Sequence, residues 1–334
     1  MREIRLIKEA ILKLNLDLEG LTVFTEAASG HYKWTPIIAA LAGSRKVYAI
    51  AKDSKYGKRA GIKKEIDRIA LRLNCANKLK IVYDKKDIPK ADIITNLGHV
   101  RPINKTTVAK LKPTAVIPLM RETWEFRSTD LNLTECRRRN ILVIGTNENN
   151  KKIKILDYLG PLSLKLLLSQ GIELINSYIL ILGDDIFSDK IKKYLIPFSK
   201  KIIHVRNLNE NMHFRELDAI IISERTRKEC LIGLPAEITF KHISKCNPHI
   251  TIIHICGNIN TRELLDSHLN HYPESISPVG FMSANLDFVG PKPVIDLHTA
   301  GLKVGEIAAR MRLKNISINK IKKKLSKICL AQIM

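Results

Sequence analysis

Residues 178–195, YILILGDDIFSDKIKKYL, set an apolar run directly before Gly183, followed by two aspartates and a helical pattern. Strand, glycine and helix in that order are what a dinucleotide phosphate turn needs. The glycine makes the tight turn, and backbone N–H groups at the helix start meet the pyrophosphate. Only the first of the usual three glycines is present, and Ser188 stands where the third small residue would sit. Asp184 and Asp185 open a second reading, in which a carboxylate caps the helix in place of an anion. The sequence leaves both readings open. The next apolar run ends in Arg206 and Asn207, where a carboxylate normally takes the ribose hydroxyls. Arg206 could pair with a 2′-phosphate, which would favour NADP over NAD, or be a plain surface cation.

A second set of polar residues follows the apolar runs of the first half. Glu26, Ser29 and Gly30 come after the first run, and Lys52, Asp53, Ser54 and Tyr56 after the second. NLGHVRP (96–102) follows a third, and PLMRETWEFRSTD (118–130) brings Arg121, Glu122, Trp124, Glu125 and Arg127 after a fourth. Open α/β sheets bind ligands beyond the carboxyl ends of their strands, so these loops should share one edge. Glu26, Ser29, Lys52, Arg121, Glu122, Trp124 and Arg127 are the candidate substrate contacts. Trp124 could wall a pocket, anchor a lid or plug a domain interface.

The elements that must position these residues follow from periodicity. Short, nearly continuous apolar runs at 21–25, 46–51, 79–83, 91–95, 114–119 and 141–144 read as parallel strands covered on both faces. Helical patterns lie between several of them, at 34–43, 58–73 and 130–139. The polar stretch GTNENNKKIK (145–154) reads as a crossing between domains. After it a helix is expected at 156–171, then strands at 178–182, 201–205, 217–222 and 250–255, with helices at 186–195, 234–244 and 260–270. Residues 272–296, rich in Pro, Gly and Ser, read as irregular, and a last helix is expected from near Gly301 to about 312. The expected fold class is α/β, with two doubly wound Rossmann-like domains of parallel sheet and a cleft between them.

The length of 334 residues suits two domains of about 150 each. With 45% hydrophobic residues the chain can bury real cores, and no run of about 18 apolar residues exists to span a membrane. The first sixteen residues read as an amphipathic helix and not as a signal peptide, which leads to a cytoplasmic expectation. Six scattered cysteines and ten histidines show no metal-ligand spacing, so no metal is expected. The net charge of +23 would attract nucleic acid or an anionic substrate. Aromatic residues make up only 5% and do not interleave with the basic runs, so nucleic acid is not an expected partner.

Four segments, in order, resemble the D-2-hydroxyacid dehydrogenases (the formate/glycerate dehydrogenase superfamily). They are TDLNLTECRRRNILVIGTNE (129–148), LDAIIISERTRKECLIG (217–233), HITIIHICGNINTRELLDSHL (249–269) and VIDLHTAGLKVGEIAARM (294–311). The resemblance covers roughly 80–312 and is collinear. It implies a flavodoxin-like catalytic (substrate) domain, 1–150, joined by C-terminal helices 297–334, and a Rossmann-like dinucleotide-binding domain, 156–296, with the active site in the cleft. It places His298 at the family's acid/base histidine, where an imidazole would exchange a proton during hydride transfer. The family's substrate-carboxylate arginine falls on Cys256, and Arg121 or Arg127 could replace it. The glutamate that supports the histidine has no clear match, although Asp287 or Asp296 could stand in. The candidate cofactor set is Gly183, Asp184, Asp185, Arg206, Asn207, Ser223, Cys256 and Gly257. The implied function is NAD(P)-dependent oxidation or reduction of a small polar or anionic substrate by a homodimer. The alternatives are a binding or scaffold protein of a biosynthetic pathway without hydride chemistry, or a lyase or hydrolase that retains its nicotinamide.

Overall fold

The computed structural model describes residues 2–334. The chain divides into unit 1, Met1–Ile155 with Gly290–Met334, and unit 2, Leu156–Val289.

Unit 1 is built on strands β1 (Thr22–Glu26), β2 (Lys46–Ile50), β3 (Leu79–Val82), β4 (Ile93–Ile94), β5 (Val116–Pro118) and β6 (Leu142–Thr146). Unit 2 holds β7 (Tyr178–Leu182), β8 (Lys201–Val205), β9 (Ala219–Ser223), β10 (Thr251–Cys256) and β11 (Asn270–Tyr272), and β12 (Ala331–Ile333) returns to unit 1. The apolar runs became parallel strands for the reason their composition suggests. β1, β6, β9 and β10 are buried along their whole length, as strands covered on both faces must be.

The sheet of unit 1 runs β12-β6-β5-β4-β1-β2-β3, parallel except for β12, which pairs antiparallel with β6. Its parallel part has the order 3-2-1-4-5-6, and the order reverses between β1 and β4. This corrects the flavodoxin-like expectation, which calls for 2-1-3-4-5. The difference is β3, which extends the sheet beyond β2 through the ladder Val47–Leu79 to Ile50–Val82. The sheet of unit 2 runs β11-β10-β9-β7-β8, all parallel. Counted within the unit this is 2-1-3-4-5, with a single strand on the far side of β7.

Several boundaries differ from the sequence reading. The last long helix spans Pro291–Leu313, ten residues earlier than expected near Gly301. Prolines at its start lose no hydrogen bond, because first-turn N–H groups have no partner within the helix. Gly301 sits inside this helix. A Cβ there would stand 2.4 Å from Met120 Sδ, so the missing side chain lets the helix lie close on the segment after β5. The helices expected at 234–244 and 260–270 are shorter, Phe240–Cys246 and Thr261–Asp266. β11 and β12 are absent from the sequence reading; each has three residues and too short a pattern to read.

Candidate functional site

The carboxyl edge of the unit 1 sheet gathers charge from five post-strand loops. Glu26 is the last residue of β1 and is buried. Its Oε2 accepts the N–H of His99 at 3.0 Å. Burial pushes its carboxyl above the usual range, and the His99 bond and the charges of His99 and Arg101 pull the other way. Gly98 makes room here, since a Cβ would stand 3.3 Å from Glu26 Oε2 and 3.7 Å from Arg101 Nη2. Lys52 Nζ donates to the carbonyl of Arg101 at 3.1 Å, and Lys85 Nζ to that of Pro102 at 2.5 Å. Burial lowers both ammonium groups, and with Lys52 beside it Lys85 falls to about 8.

The centre of the edge is Asp130. Its Oδ2 accepts from Arg101 at 2.5 Å, Arg121 at 2.8 Å and Arg127 at 3.4 Å. Backbone pairing explains how it gets there: Ile103 N donates to Asp130 O at 2.8 Å, and Asn132 N to Ile103 O at 3.0 Å. Arg127 also lies 3.7 Å from Glu125, whose carboxyl is raised by burial against the pull of Arg121 and Arg127. The Arg127 guanidinium is lowered to about 10, by burial first and by Arg121 second. Arg121 Nε is buried with no hydrogen-bond partner among the described residues. Gln332 of β12 holds the loop: its Oε1 accepts Thr123 N at 2.8 Å, and its Nε2 donates to Glu122 Oε1 at 2.8 Å. Trp124 is half-buried in the short helical turn Thr123–Glu125 of that loop. Ser29 precedes the helical turn Gly30–Lys33 and makes no side-chain cap; a Cβ on Gly57 would lie 3.6 Å from its own Cβ.

Sequence reasoning selected Arg121 and Arg127 but missed Arg101, Asp130 and Lys85. Arg101 lay in the quoted NLGHVRP loop, and Asp130 at the end of PLMRETWEFRSTD. Nothing in their spacing announces that three guanidinium groups share one oxygen.

His298 lies within the helix Pro291–Leu313 and is buried. Its Nδ1 shares a 2.6 Å hydrogen bond with Thr35 Oγ1, and its ring centroid is 5.8 Å from that of Tyr32. Burial lowers the imidazole to about 3. At neutral pH it is therefore a neutral ring and a weak base, with no imidazolium proton to donate. Asp296 pairs with Lys292 Nζ at 2.5 Å. An NMR titration of His298 is expected to show no protonation between about pH 8 and pH 5, whereas an ordinary imidazole titrates near 6.5. A midpoint near the ordinary value would show an open, solvated ring.

In unit 2, Gly183 has φ +148°, and a Cβ there would come within 2.2 Å of Ser223 O. Only glycine lets β7 turn this close to the end of β9. Asp185 caps the helix Ile186–Leu195, its Oδ1 accepting Phe187 N at 2.8 Å and Ser188 N at 3.3 Å. Arg206 is mostly exposed and lies 3.1 Å from Asp184 Oδ2. Asn207 Oδ1 accepts from Arg227 at 2.7 Å. Ser223 and Cys256 face each other across the β9–β10 ladder, and burial pushes the Cys256 thiol up. Gly257 has φ +132° and abuts Leu231. The expected cofactor residues thus share one end of the unit 2 sheet. The carboxylate cap, which the sequence left as one of two readings, is the arrangement present.

No protein-family model matches the chain, and no curated protein sequence does. Solved structures do. A dipicolinate synthase chain from Bacillus halodurans matches with TM-score 0.55 and 10% identity, over 85% of this chain and 96% of that one. Its counterpart from Bacillus subtilis matches with TM-score 0.52 and 11% identity, over 93% and 99%. An NAD-dependent formate dehydrogenase from Staphylococcus aureus, in complex with NAD, is more distant at TM-score 0.41 and 15% identity, over 77% and 93%. The chain has the two-unit α/β fold of these two dipicolinate synthase chains. Among the described residues no helix is long and apolar enough to cross a membrane.

Proposed function

We propose that the chain is an oxidoreductase of the 2-hydroxyacid dehydrogenase kind that acts on a small anionic substrate held at the carboxyl edge of unit 1. One observation carries this reading: Arg101, Arg121 and Arg127 converge on the single carboxylate of Asp130. Guanidinium groups gathered this closely suit, by their fork geometry, a carboxylate or a phosphate brought by a substrate. Lys52 and Lys85 extend the positive edge.

Proton exchange falls to Glu26 in preference to His298. Its raised carboxyl keeps a proton to higher pH than an ordinary glutamate, and it shares the edge with the cations. His298 stays neutral, and burial makes it a weak base. NAD or NADP would supply or take the hydride. The turn after β7 fits a dinucleotide pyrophosphate poorly, because its Asp184, Phe187 and Ser188 N–H groups already have carboxylate partners. A nicotinamide carrier would have to bind weakly and without its pyrophosphate in this turn, and the pairing of Arg206 with Asp184 lends no support to a 2′-phosphate contact.

Calorimetric titration with small 2-hydroxy and 2-oxo carboxylates tests the substrate half. Saturable, salt-sensitive binding is expected, weakened at least about tenfold in Arg121→Ala, the loss of one charge-assisted contact. The oxidoreductase half is read from NADH and NADPH consumption with the same acids. Failure of every acid to bind would remove the first half, and binding without turnover by either nucleotide would remove the second.

A further inference from the structure

A dinucleotide pyrophosphate bound to a βα turn takes its hydrogen bonds from the turn and the first N–H groups of the helix. In unit 2 three of those donors, Asp184 N, Phe187 N and Ser188 N, are held by two carboxylates. Asp185 Oδ1 accepts from Phe187 N and Ser188 N, and its Oδ2 accepts Arg225 N at 3.1 Å. Glu224, the residue after β9, accepts Asp184 N at 3.1 Å on Oε2. Its Oε1 takes Thr226 N at 2.8 Å, Thr226 Oγ1 at 2.6 Å and Arg227 N at 3.2 Å. The two side chains are 6% and 0% exposed, and each has a guanidinium beside it: Arg225 Nε 3.3 Å from Asp185, and Arg227 Nε 3.2 Å from Glu224.

We infer that Asp185 and Glu224 are a built-in replacement for a pyrophosphate, so that unit 2 seats no dinucleotide through this turn. Three features support this beyond ordinary capping. The carboxylates come from two different strand ends, β7 and β9, whereas an ordinary cap comes from the helix's own N-terminus. They bring two negative charges with two arginines, the charge pattern of a bound pyrophosphate. Finally, β9 closes on the turn so tightly that Ser223 O would meet any Cβ at Gly183. A phosphate entering here would have to displace both carboxylates and would be repelled by each. The anion seat of unit 2 is filled by the chain itself. This inference bears on the hydride carrier of the proposed function but uses none of the unit 1 residues, so its failure and a failure of acid binding at Arg121 are read in separate titrations.

The test uses ADP-ribose, which carries the pyrophosphate of NAD without the nicotinamide, in calorimetric titrations of the full chain. The wild type is expected to give no binding at millimolar concentration. Asp185→Asn with Glu224→Gln removes both charges and should tighten ADP-ribose binding at least about tenfold, bringing it into range. Asp185→Asn alone keeps a capping side chain and decides the matter if the double variant does not fold. Micromolar binding by the wild type would overturn the inference. So would a folded Asp185→Asn variant that binds no better than the wild type.

Discussion

Asp130→Ala should destabilise unit 1 by roughly 3 kcal/mol, as breaking a mostly buried charge cluster does by stranding the opposite charges. Arg101, Arg121 and Arg127 would be left facing one another, with side chains 27%, 13% and 16% exposed. Their mutual repulsion is poorly screened at that depth. Asp130→Asn keeps the shape and an acceptor oxygen and should cost less. The pair is best read as a cycle. In an Arg121→Ala background the Asp130→Ala loss should shrink, because one of the stranded charges is gone. Urea unfolding supplies the numbers. A loss under about 1 kcal/mol would mean that the cluster behaves like a surface ion pair.

Glu224→Gln should remove an acid-sensitive share of the stability of unit 2. Burial pushes the Glu224 carboxyl up, but bonds from Thr226 and Asp184 outweigh it and bring it down to about 2 from an ordinary 4.5. A carboxylate depressed in the folded state stabilises it fully above the unfolded value. That contribution fades below 4.5 and is gone once pH falls through about 2. The difference corresponds to roughly 3 kcal/mol at neutral pH. Glu26 and Glu125 in unit 1 and Asp185 in unit 2 are shifted the opposite way. Their protonated forms suit the fold, so acid relieves a cost there. Stability measured against pH should therefore have a shallower acid limb in Glu224→Gln, with the remainder set by depressed carboxylates such as Asp130, and an undiminished one in Glu26→Gln. A limb unchanged in both variants would show that Glu224 titrates as an ordinary glutamate.

The sequence made the strands legible because parallel strands buried on both faces are written as short unbroken apolar runs. It offered a carboxylate cap by Asp184 or Asp185 as one of two readings, since an aspartate before a helical pattern has a local job, and the structure has Asp185 in that place. Glu224 was not legible. Its meeting with Asp184 and Asp185 depends on β7 lying beside β9 in the register Leu182–Ile222, forty residues apart in the chain. The Asp130 cluster was hidden for the same reason, with Arg101 twenty-nine residues away. Strand order was equally silent, because a crossover that adds β3 at an edge leaves no mark on the strands themselves. The onset of the last helix was hidden for a different reason. Pro291 and Pro293 suggest irregular chain by composition, whereas at a helix start they are compatible with the first turn.

The chain leaves unit 1 after Ile155 and returns to it at Gly290. During synthesis, unit 2 is complete in sequence while unit 1 still lacks the helix Pro291–Leu313 and strand β12. That late segment brings His298, and with Gln332 it brings the side chain that pins the loop carrying Arg121 and Arg127. The ribosome thus delivers the final clasp of the arginine edge last. A nascent chain stalled short of β12 would present a finished unit 2 beside a first unit whose arginine-bearing loop has not yet been tied down.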